Sequence, residues 1–163
     1  MLTLERKNLW THVKGEWTQQ ARIVSDGAVV ADVELFWLNR FSDGSFASGG
    51  RRFEVVRETG NALPAKVVCD GEVVMRATTS PGNHYGIEYG ARRLQIHLDS
   101  MLTTKWGVIE NGKKLGQISR TASMKKLAKS DLPADMDLPL LVFIFWITTG
   151  RWAQMENFSI GAP

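Results

Sequence analysis

The segment from Leu138 to Ile147, LPLLVFIFWI, contains no charged side chain and no polar one. A helix that is apolar on every side has to be buried on every side, either within a protein or within a bilayer. The residues from Leu138 to Thr149 would form a helix about 18 Å long. A bilayer core requires about 20 apolar residues. Length therefore favours a helix buried inside the protein over membrane insertion.

The flanking residues fit the two ends of such a helix. Asp137 is suited to the N-cap position, and Pro139 falls in the first turn, where its missing N–H costs nothing. Gly150 is suited to end the helix. A buried strand is the alternative, because the segment contains several β-branched residues, but Pro139 and the length of the segment argue against it.

Composition indicates one globular domain spanning residues 1–163. Hydrophobic residues make up 44% of the chain, and six residues are Trp. Cys69 is the only cysteine, so no internal disulfide can form, which fits a reducing compartment. The first ten residues, MLTLERKNLW, lack the apolar stretch of a signal peptide. We therefore expect a cytoplasmic protein, with peripheral contact to a membrane as an extension of that expectation.

Three segments of the chain have the pattern of a β-hairpin. Each has apolar β-formers on both sides of an Asp-Gly or Asn-Gly pair, which favours a type I′ turn because both of its central residues have positive φ. The turn glycines 27, 71 and 112 recur at similar spacing, which suggests a repeated β-meander. Further short strands are predicted between the hairpins, and one at residues 158–160.

These two patterns combine into one predicted architecture. Ten or more short strands with regular turns indicate an antiparallel barrel or sandwich. A closed barrel of about 12 strands has an interior that must be filled. The apolar helix can fill it, because all its backbone hydrogen bonds are internal. We therefore predict a mainly β fold, a closed antiparallel barrel of about 12 strands around a central hydrophobic C-terminal helix.

Two segments resemble the tubby-like superfamily, which includes the phospholipid scramblases, the LURP-one-related proteins and the tubby carboxyl-terminal domain. Residues 132–138, LPADMDL, lead into the apolar segment as a similar stretch leads into the central helix of scramblases. Residues 115–120, LGQISR, resemble the Gly-x-Ile strand that precedes it. The resemblance implies the barrel with its central helix, and a non-enzymatic module that binds phospholipid.

A basic stretch supplies the candidate binding residues. Residues 112–130 contain six cations and no acidic residue. Such a surface suits phosphorylated lipid headgroups, and basic residues near an anionic membrane contribute on the order of 1 kcal/mol each. Anionic phospholipid or a membrane surface is the expected partner, an additional protein partner stays open, and nucleic acid is not expected. The predicted phospholipid-binding residues are Lys113, Lys114, Arg120, Lys125, Lys126 and Lys129.

No catalytic, metal or cofactor site is expected. In scramblases, the stretch before the proline is acidic and is the proposed calcium site. Residues 125–131 contain three Lys and one Asp, which cannot make an oxygen-rich Ca²⁺ site. His12, His84 and His97 are scattered along the sequence without metal-ligand spacing, and Cys69 fits a buried structural thiol.

Two alternative functions stay open at this stage. One is a lipocalin-like carrier of a small apolar ligand, which would require an internal cavity and would place the helix outside the barrel. The other is a structural or protein-interaction domain without a ligand, which would use an exposed sheet edge or the last 13 residues as a partner site.

Overall fold

The structure is a computed structural model that describes residues 1–7, 11–13, 16–36, 44–58, 64–81, 84–100, 105–121 and 126–160. Side chains are described for these residues except 11–13, 16–20, 34–36, 100, 126 and 153–160. The described residues form strands and one helix. The elements are β1 Leu2–Arg6, β2 Thr11–Val13, β3 Glu16–Ser25, β4 Ala28–Phe36, β5 Gly44–Ser48, β6 Arg51–Arg57, β7 Ala65–Cys69, β8 Glu72–Ser80, β9 His84–Tyr89, β10 Arg92–Ser100, β11 Lys105–Glu110, β12 Lys113–Arg120, β13 Lys126–Ser130 and α1 Leu138–Ile160.

The strands form one antiparallel sheet that closes on itself. From β3 to β13, each strand pairs with its neighbour in sequence. Strand β1 closes the barrel, because it pairs with β13 on one side and with β3 on the other. Strand β2 pairs with residues 16–18 of β3 and β1 with residues 21–25, so β1 and β2 share one edge of β3. The barrel therefore has twelve strand positions, which confirms the predicted closed barrel.

The three predicted hairpins are present as β3–β4, β7–β8 and β11–β12. In each, both turn residues have positive φ, as a type I′ turn requires. In each hairpin, two residue pairs follow the turn, and the register then shifts by one residue. The shift leaves one residue of the second strand unpaired. The unpaired residues are Val30, Val74 and Leu115. The same bulge in three hairpins shows that the recurrence in sequence reflects a recurrence in structure.

Two further hairpins, β5–β6 and β9–β10, lie between the predicted ones. They turn at Gly49-Gly50 and at Gly90-Ala91, and all three glycines have positive φ. All five two-residue turns therefore lie at the same end of the barrel, because each one connects an odd-numbered strand to the next even-numbered strand. The repeating unit is therefore one hairpin. Its length in residues is about half the spacing between the Asp-Gly and Asn-Gly pairs.

The helix enters the barrel from this same end. Asp137 occupies the N-cap position, and its carbonyl accepts the first helical hydrogen bond, from Leu141 N at 3.0 Å. Arg92 fixes the entry point, since its guanidinium lies 2.7 Å from Glu110 Oε1 and 3.4 Å from Asp137 Oδ2. Ten consecutive helical residues, 140–149, are buried. Burial on all sides places the helix inside the barrel, as predicted.

The end of the helix differs from the prediction. The helix does not stop at Gly150 but continues to Ile160, and it includes residues 158–160, which were predicted to form a strand. Glycine disfavours a helix by only about 1 kcal/mol relative to Ala. Contacts of the next turn outweigh that cost: Trp152 is buried, and the Arg151 guanidinium lies 5.3 Å from the centre of the Tyr85 ring. Tertiary packing therefore overrides the local stop signal.

Two threonines lie within the apolar interior without leaving their hydroxyls unpaired. Thr148 Oγ1 donates to the carbonyl of Ile144 at 3.0 Å, and Thr149 Oγ1 donates to the carbonyl of Phe145 at 2.7 Å. A hydroxyl that bonds to the preceding helical turn needs no partner from the wall. The helix can thus be polar at two positions and still be enclosed by inward-facing apolar side chains.

Candidate functional site

The predicted phospholipid-binding residues fall into two groups on adjacent strands. Lys113 and Lys114 begin β12, whereas Arg120 ends it. Lys126 begins β13, and Lys129 pairs with Ser119 of β12. Lys114 and Ser119 are five residues apart on one strand, which separates them by about 17 Å. The two groups therefore do not form one compact patch; Lys125 lies outside the described residues.

The side chains of the predicted phospholipid-binding residues also differ in their ion-pair partners. The Lys114 ammonium lies 2.7 Å from Asp99 Oδ2, so its charge is largely neutralised. Lys129 is exposed, and among the described residues no carboxylate lies within ion-pair distance of it. Arg120 is exposed at the end of β12, and the side chain of Lys126 is not among those described. Lys129 is therefore the member best placed to meet an external anion.

Strands β12 and β13 pair over only three residues before the chain leaves the sheet. Beyond Ser130 the chain turns inward towards the helix, and Asp131 takes the place of the next strand residue. Gln117 N donates to Asp131 Oδ1 at 2.5 Å, and Asp131 N donates to the Gln117 carbonyl at 3.2 Å. Asp131 thus satisfies the edge of β12 at the point where β13 ends.

Gly116 makes this arrangement possible. A Cβ atom at this position would lie 2.8 Å from Asp131 Oδ1 and 3.0 Å from the Asp131 carbonyl oxygen. The first distance is one that real Cβ atoms essentially never show, and the second is tighter than most real Cβ contacts. The glycine of the Gly-x-Ile segment is therefore required by the close passage of the chain that leads from β13 to the helix.

A cleft of about 210 Å³ opens beside this junction. Its volume is below the roughly 300–1,000 Å³ of pockets that take drug-sized ligands, so it suits a small group. Lys129 contributes a cation and Ser119 a hydroxyl. The residues that line the cleft are Met1, Gln117, Ser119, Lys129, Ser130 and Asp131.

A second lysine, which the sequence analysis missed, lies across Ser119 from Lys129. Lys105 of β11 pairs with Ser119, which in turn pairs with Lys129. Trp106 and Ala128, their neighbours in sequence, are fully buried and face inward, so Lys105, Ser119 and Lys129 face outward. At about 4.8 Å between strands, the Cα atoms of the two lysines are about 10 Å apart. Lys105, like Lys129, has no carboxylate within ion-pair distance among the described residues.

We call these three residues, Lys105, Ser119 and Lys129, the lysine clip. Ser119 is only 9% exposed, so the two lysines lie on either side of a shallow depression in the surface. Lysine is a flexible cation with three N–H donors, and serine adds a further donor. Two cations on either side of a hydroxyl suit a phosphate group. In sequence, Lys105 is an isolated cation, and only the strand register places it beside Lys129.

A polar cluster lies next to the lysine clip on the same outer face. His97 Nε2 lies 2.6 Å from Asp99 Oδ1, and the ring of His84 lies 5.8 Å from that of His97. Partial burial raises the pKa of Asp99, but the hydrogen bonds and charges of Lys114 and His97 outweigh burial and leave that pKa below its usual value. We call His84, His97, Asp99 and Lys114 the histidine cluster.

A second glycine, Gly107, permits the close packing of the histidine cluster on the sheet. Gly107 is the strand partner of His97, and a Cβ atom there would lie 2.8 Å from both Asp99 Oδ1 and His97 Cε1. Two histidines that are 13 positions apart in sequence are thus direct neighbours in space, as partners on β9 and β10. Within the described part of the chain, no group of three or more His, Cys, Asp or Glu is arranged to hold a metal ion.

Cys69 and the helix both belong to the buried interior of the barrel. Cys69 is 1% exposed, as predicted for a structural thiol, and burial raises the pKa of that thiol. The helix lies inside the barrel, whereas the carrier alternative requires it outside. Of the last 13 residues, 151–160 continue this helix, and residues 161–163 lie outside the described residues.

Within the described ranges, no helix is long and apolar enough to cross a membrane. No protein-family model, no curated protein sequence and no solved structure was found to match the chain.

Proposed function

We propose that the protein is a non-enzymatic binding module, related to the phospholipid scramblases and other tubby-like proteins, that associates with anionic phospholipid through the outer face of β11, β12 and β13. The observation that carries this proposal is the lysine clip. Two outward-facing lysines without carboxylate partners flank a hydroxyl beside a small cleft. A lipid phosphate would accept hydrogen bonds from all three side chains.

The electrostatics favour a surface contact of modest strength. Each lysine close to an anionic membrane contributes on the order of 1 kcal/mol, and the effect falls off within a Debye length. Lys113 and the basic residues near the start of β13 would add long-range attraction. Lys114 would add less, because Asp99 already neutralises it. The contact would be peripheral, at a cytoplasmic membrane surface.

Three features support the relationship to tubby-like proteins. The closed barrel with a helix inside it is the architecture that the resemblance implies. The Gly-x-Ile segment lies on β12, directly before the strand that leads to the helix. Asp137 of the LPADMDL segment holds the N-cap position at the barrel entrance. These features agree with the family pattern; the basic stretch at residues 125–131 departs from it.

Vesicle sedimentation tests the proposal. The protein should sediment with phosphatidylglycerol-containing vesicles at low salt and should be released at high salt, because exposed charges are screened beyond a Debye length. It should not sediment with vesicles of phosphatidylcholine alone. Equal binding to both kinds of vesicle would overturn the electrostatic mechanism. No binding to either would leave the protein-interaction alternative.

A matched pair of variants locates the site. Lys105→Ser combined with Lys129→Ser should weaken vesicle binding by about five-fold per lysine, which corresponds to about 1 kcal/mol each. Lys66→Ser is the control, since β7 lies opposite β13 in the ring of twelve positions. That control removes a positive charge from the far wall and should leave binding nearly unchanged. A loss of about five-fold in the control, the same as that expected for each lysine of the clip, would show that net charge, rather than the lysine clip, determines binding.

A further inference from the structure

The histidine cluster borders the lysine clip and shares its outer face. Asp99 is the centre of this cluster, because one carboxylate oxygen contacts His97 and the other contacts Lys114. The side chains of His97 and Asp99 are each less than one quarter exposed, and Gly107 beneath them allows their close packing on the sheet. The arrangement is therefore a fixed feature of the wall rather than a chance surface encounter.

The groups facing the His97 ring come from four strands. His84 faces it from β9 and Asp99 from its own strand, and Lys114 of β12 contacts the same Asp99 carboxylate. Strand β11 contributes Gly107, which has no titratable side chain, and Lys105 two pairs further along. One carboxylate balances one lysine within the histidine cluster. With both imidazoles neutral, its net charge is therefore zero.

Acidification changes that balance in one direction. Histidine is the side chain that gains its charge between about pH 8 and pH 5. Asp99 stays ionised across this range, because carboxyl groups ordinarily titrate near pH 4 and the pKa of Asp99 is lowered further. Two imidazolium ions on directly opposed positions would repel each other, and the Asp99 carboxylate offsets that repulsion. Protonation of both imidazoles would therefore change the net charge of the cluster from zero to plus two.

We propose that the histidine cluster is a pH-dependent supplement to the lysine clip, which strengthens association with anionic lipid headgroups as the pH falls. This inference rests on the proposed function, because it concerns the regulation of the same surface. The added charge appears beside Lys105 and raises the local attraction for lipid phosphate. Association would therefore be favoured at membranes that face an acidified solution.

The test is vesicle sedimentation at pH 7.5 and pH 5.5. Phosphatidylglycerol is the lipid to use, because its charge does not change between these values. The wild-type protein should bind about five-fold more tightly at the lower pH for each proton gained near the surface. In the variant with His84→Gln and His97→Gln, this increase should disappear while binding at pH 7.5 is retained. His12 is unchanged in that variant and serves as an internal control.

A second variant tests position rather than charge. Gly107→Ala keeps every titratable group but pushes the His97–Asp99 pair from its place, and it should alter the pH profile while thermal unfolding shows that the protein is folded. The inference is overturned if wild-type binding is independent of pH, or if the glutamine variant keeps the wild-type profile. The proposed function itself fails if phosphatidylglycerol binding is absent at both pH values, if it is matched by binding to phosphatidylcholine alone, or if it is unaffected by Lys105→Ser and Lys129→Ser.

Discussion

The inner and outer faces of the same wall are built on different physical principles. On β11, Trp106 points inward and is 1% exposed, while its neighbour Lys105 points outward without an ion-pair partner among the described residues. The inner face is held by the burial of apolar surface, which is non-directional and large. The outer face depends on charges and on glycines that permit close approach. Changes on the inner face should therefore affect folding, and changes on the outer face should affect binding.

The largest effect should come from placing a charge on the enclosed helix, inside the barrel. Phe143 is completely buried on the helix, and Phe143→Asp should abolish folding, because a buried charge without a partner costs several kcal/mol. Circular dichroism and limited proteolysis would measure this loss. Val73→Asp, at a position that is 42% exposed on β8, is the control and should fold normally. A cooperative unfolding transition in Phe143→Asp near the wild-type temperature would contradict the enclosed helix.

Overpacking should have the next largest effect. Ala77 of β8 is fully buried and pairs with Ala65 of β7, which is also fully buried. Ala77→Leu adds three carbon atoms to a filled interior and should lower the free energy of unfolding by about 2–3 kcal/mol. Denaturant unfolding would measure it. Ala91→Leu, at an exposed turn, is the matched control. Equal stability of the two variants would indicate unfilled space inside the barrel.

The close approach of the chain at Gly116, whose strand partner Val108 is fully buried, can be tested with a single methyl group. Gly116→Ala should destabilise the protein by about 1–2 kcal/mol, because the new Cβ meets the backbone of Asp131. Gly86→Ala is the control, since its Cβ would lie an ordinary 3.6 Å from Thr78 Oγ1. Thermal unfolding compares the two. A destabilisation by Gly86→Ala as large as that by Gly116→Ala would rule out close approach as the reason for glycine.

Acid should weaken the ion pair at the entrance of the barrel. Arg92 lowers the pKa of Glu110 through its hydrogen bonds, which outweigh the opposing effect of burial. A carboxyl whose folded pKa is lowered contributes stability above its unfolded value, near pH 4.3, and loses it as the pH falls through the folded value. The melting temperature should therefore fall between pH 5 and pH 3. The fall should be smaller in Arg92→Gln, and an identical pH profile would exclude this pair as a cause.

The smallest effect on stability should come from the lysine clip itself. Lys105→Ser and Lys129→Ser remove charges without ion-pair partners among the described residues, and surface substitutions of this kind are usually within about 0.5 kcal/mol. The melting temperature should stay near the wild-type value while vesicle binding weakens. A large loss of stability would mean that these lysines support the sheet instead of a ligand surface.

Much of the fold could be predicted because its signals are local. The Asp-Gly and Asn-Gly pairs gave three hairpins, and an apolar segment without polar positions gave the enclosed helix. The end of that helix could not be predicted, because the contacts of Arg151 and Trp152 with the barrel outweigh the local preference of Gly150. Both strands of the Gly90-Ala91 hairpin were among those predicted, but its turn was not identified, because it lacks the usual turn pair.

The candidate site was harder to predict than the fold. Lys129 was identified from a run of basic residues, but Lys114 is neutralised by Asp99, which lies 15 positions away in sequence. Lys105 and the contact between His84 and His97 depend on strand register. A shift of one residue in register would move these side chains to the other face of the wall.

By itself, the sequence determined that this chain would form paired strands around one apolar helix, because turn chemistry and the burial of apolar surface act through neighbouring residues. Only the tertiary structure decided which charges are neutralised, which lysines lie on either side of Ser119 and why Gly107 and Gly116 have no side chain. Those outcomes depend on distances between strands that are remote in sequence, and such distances are fixed only when the barrel closes.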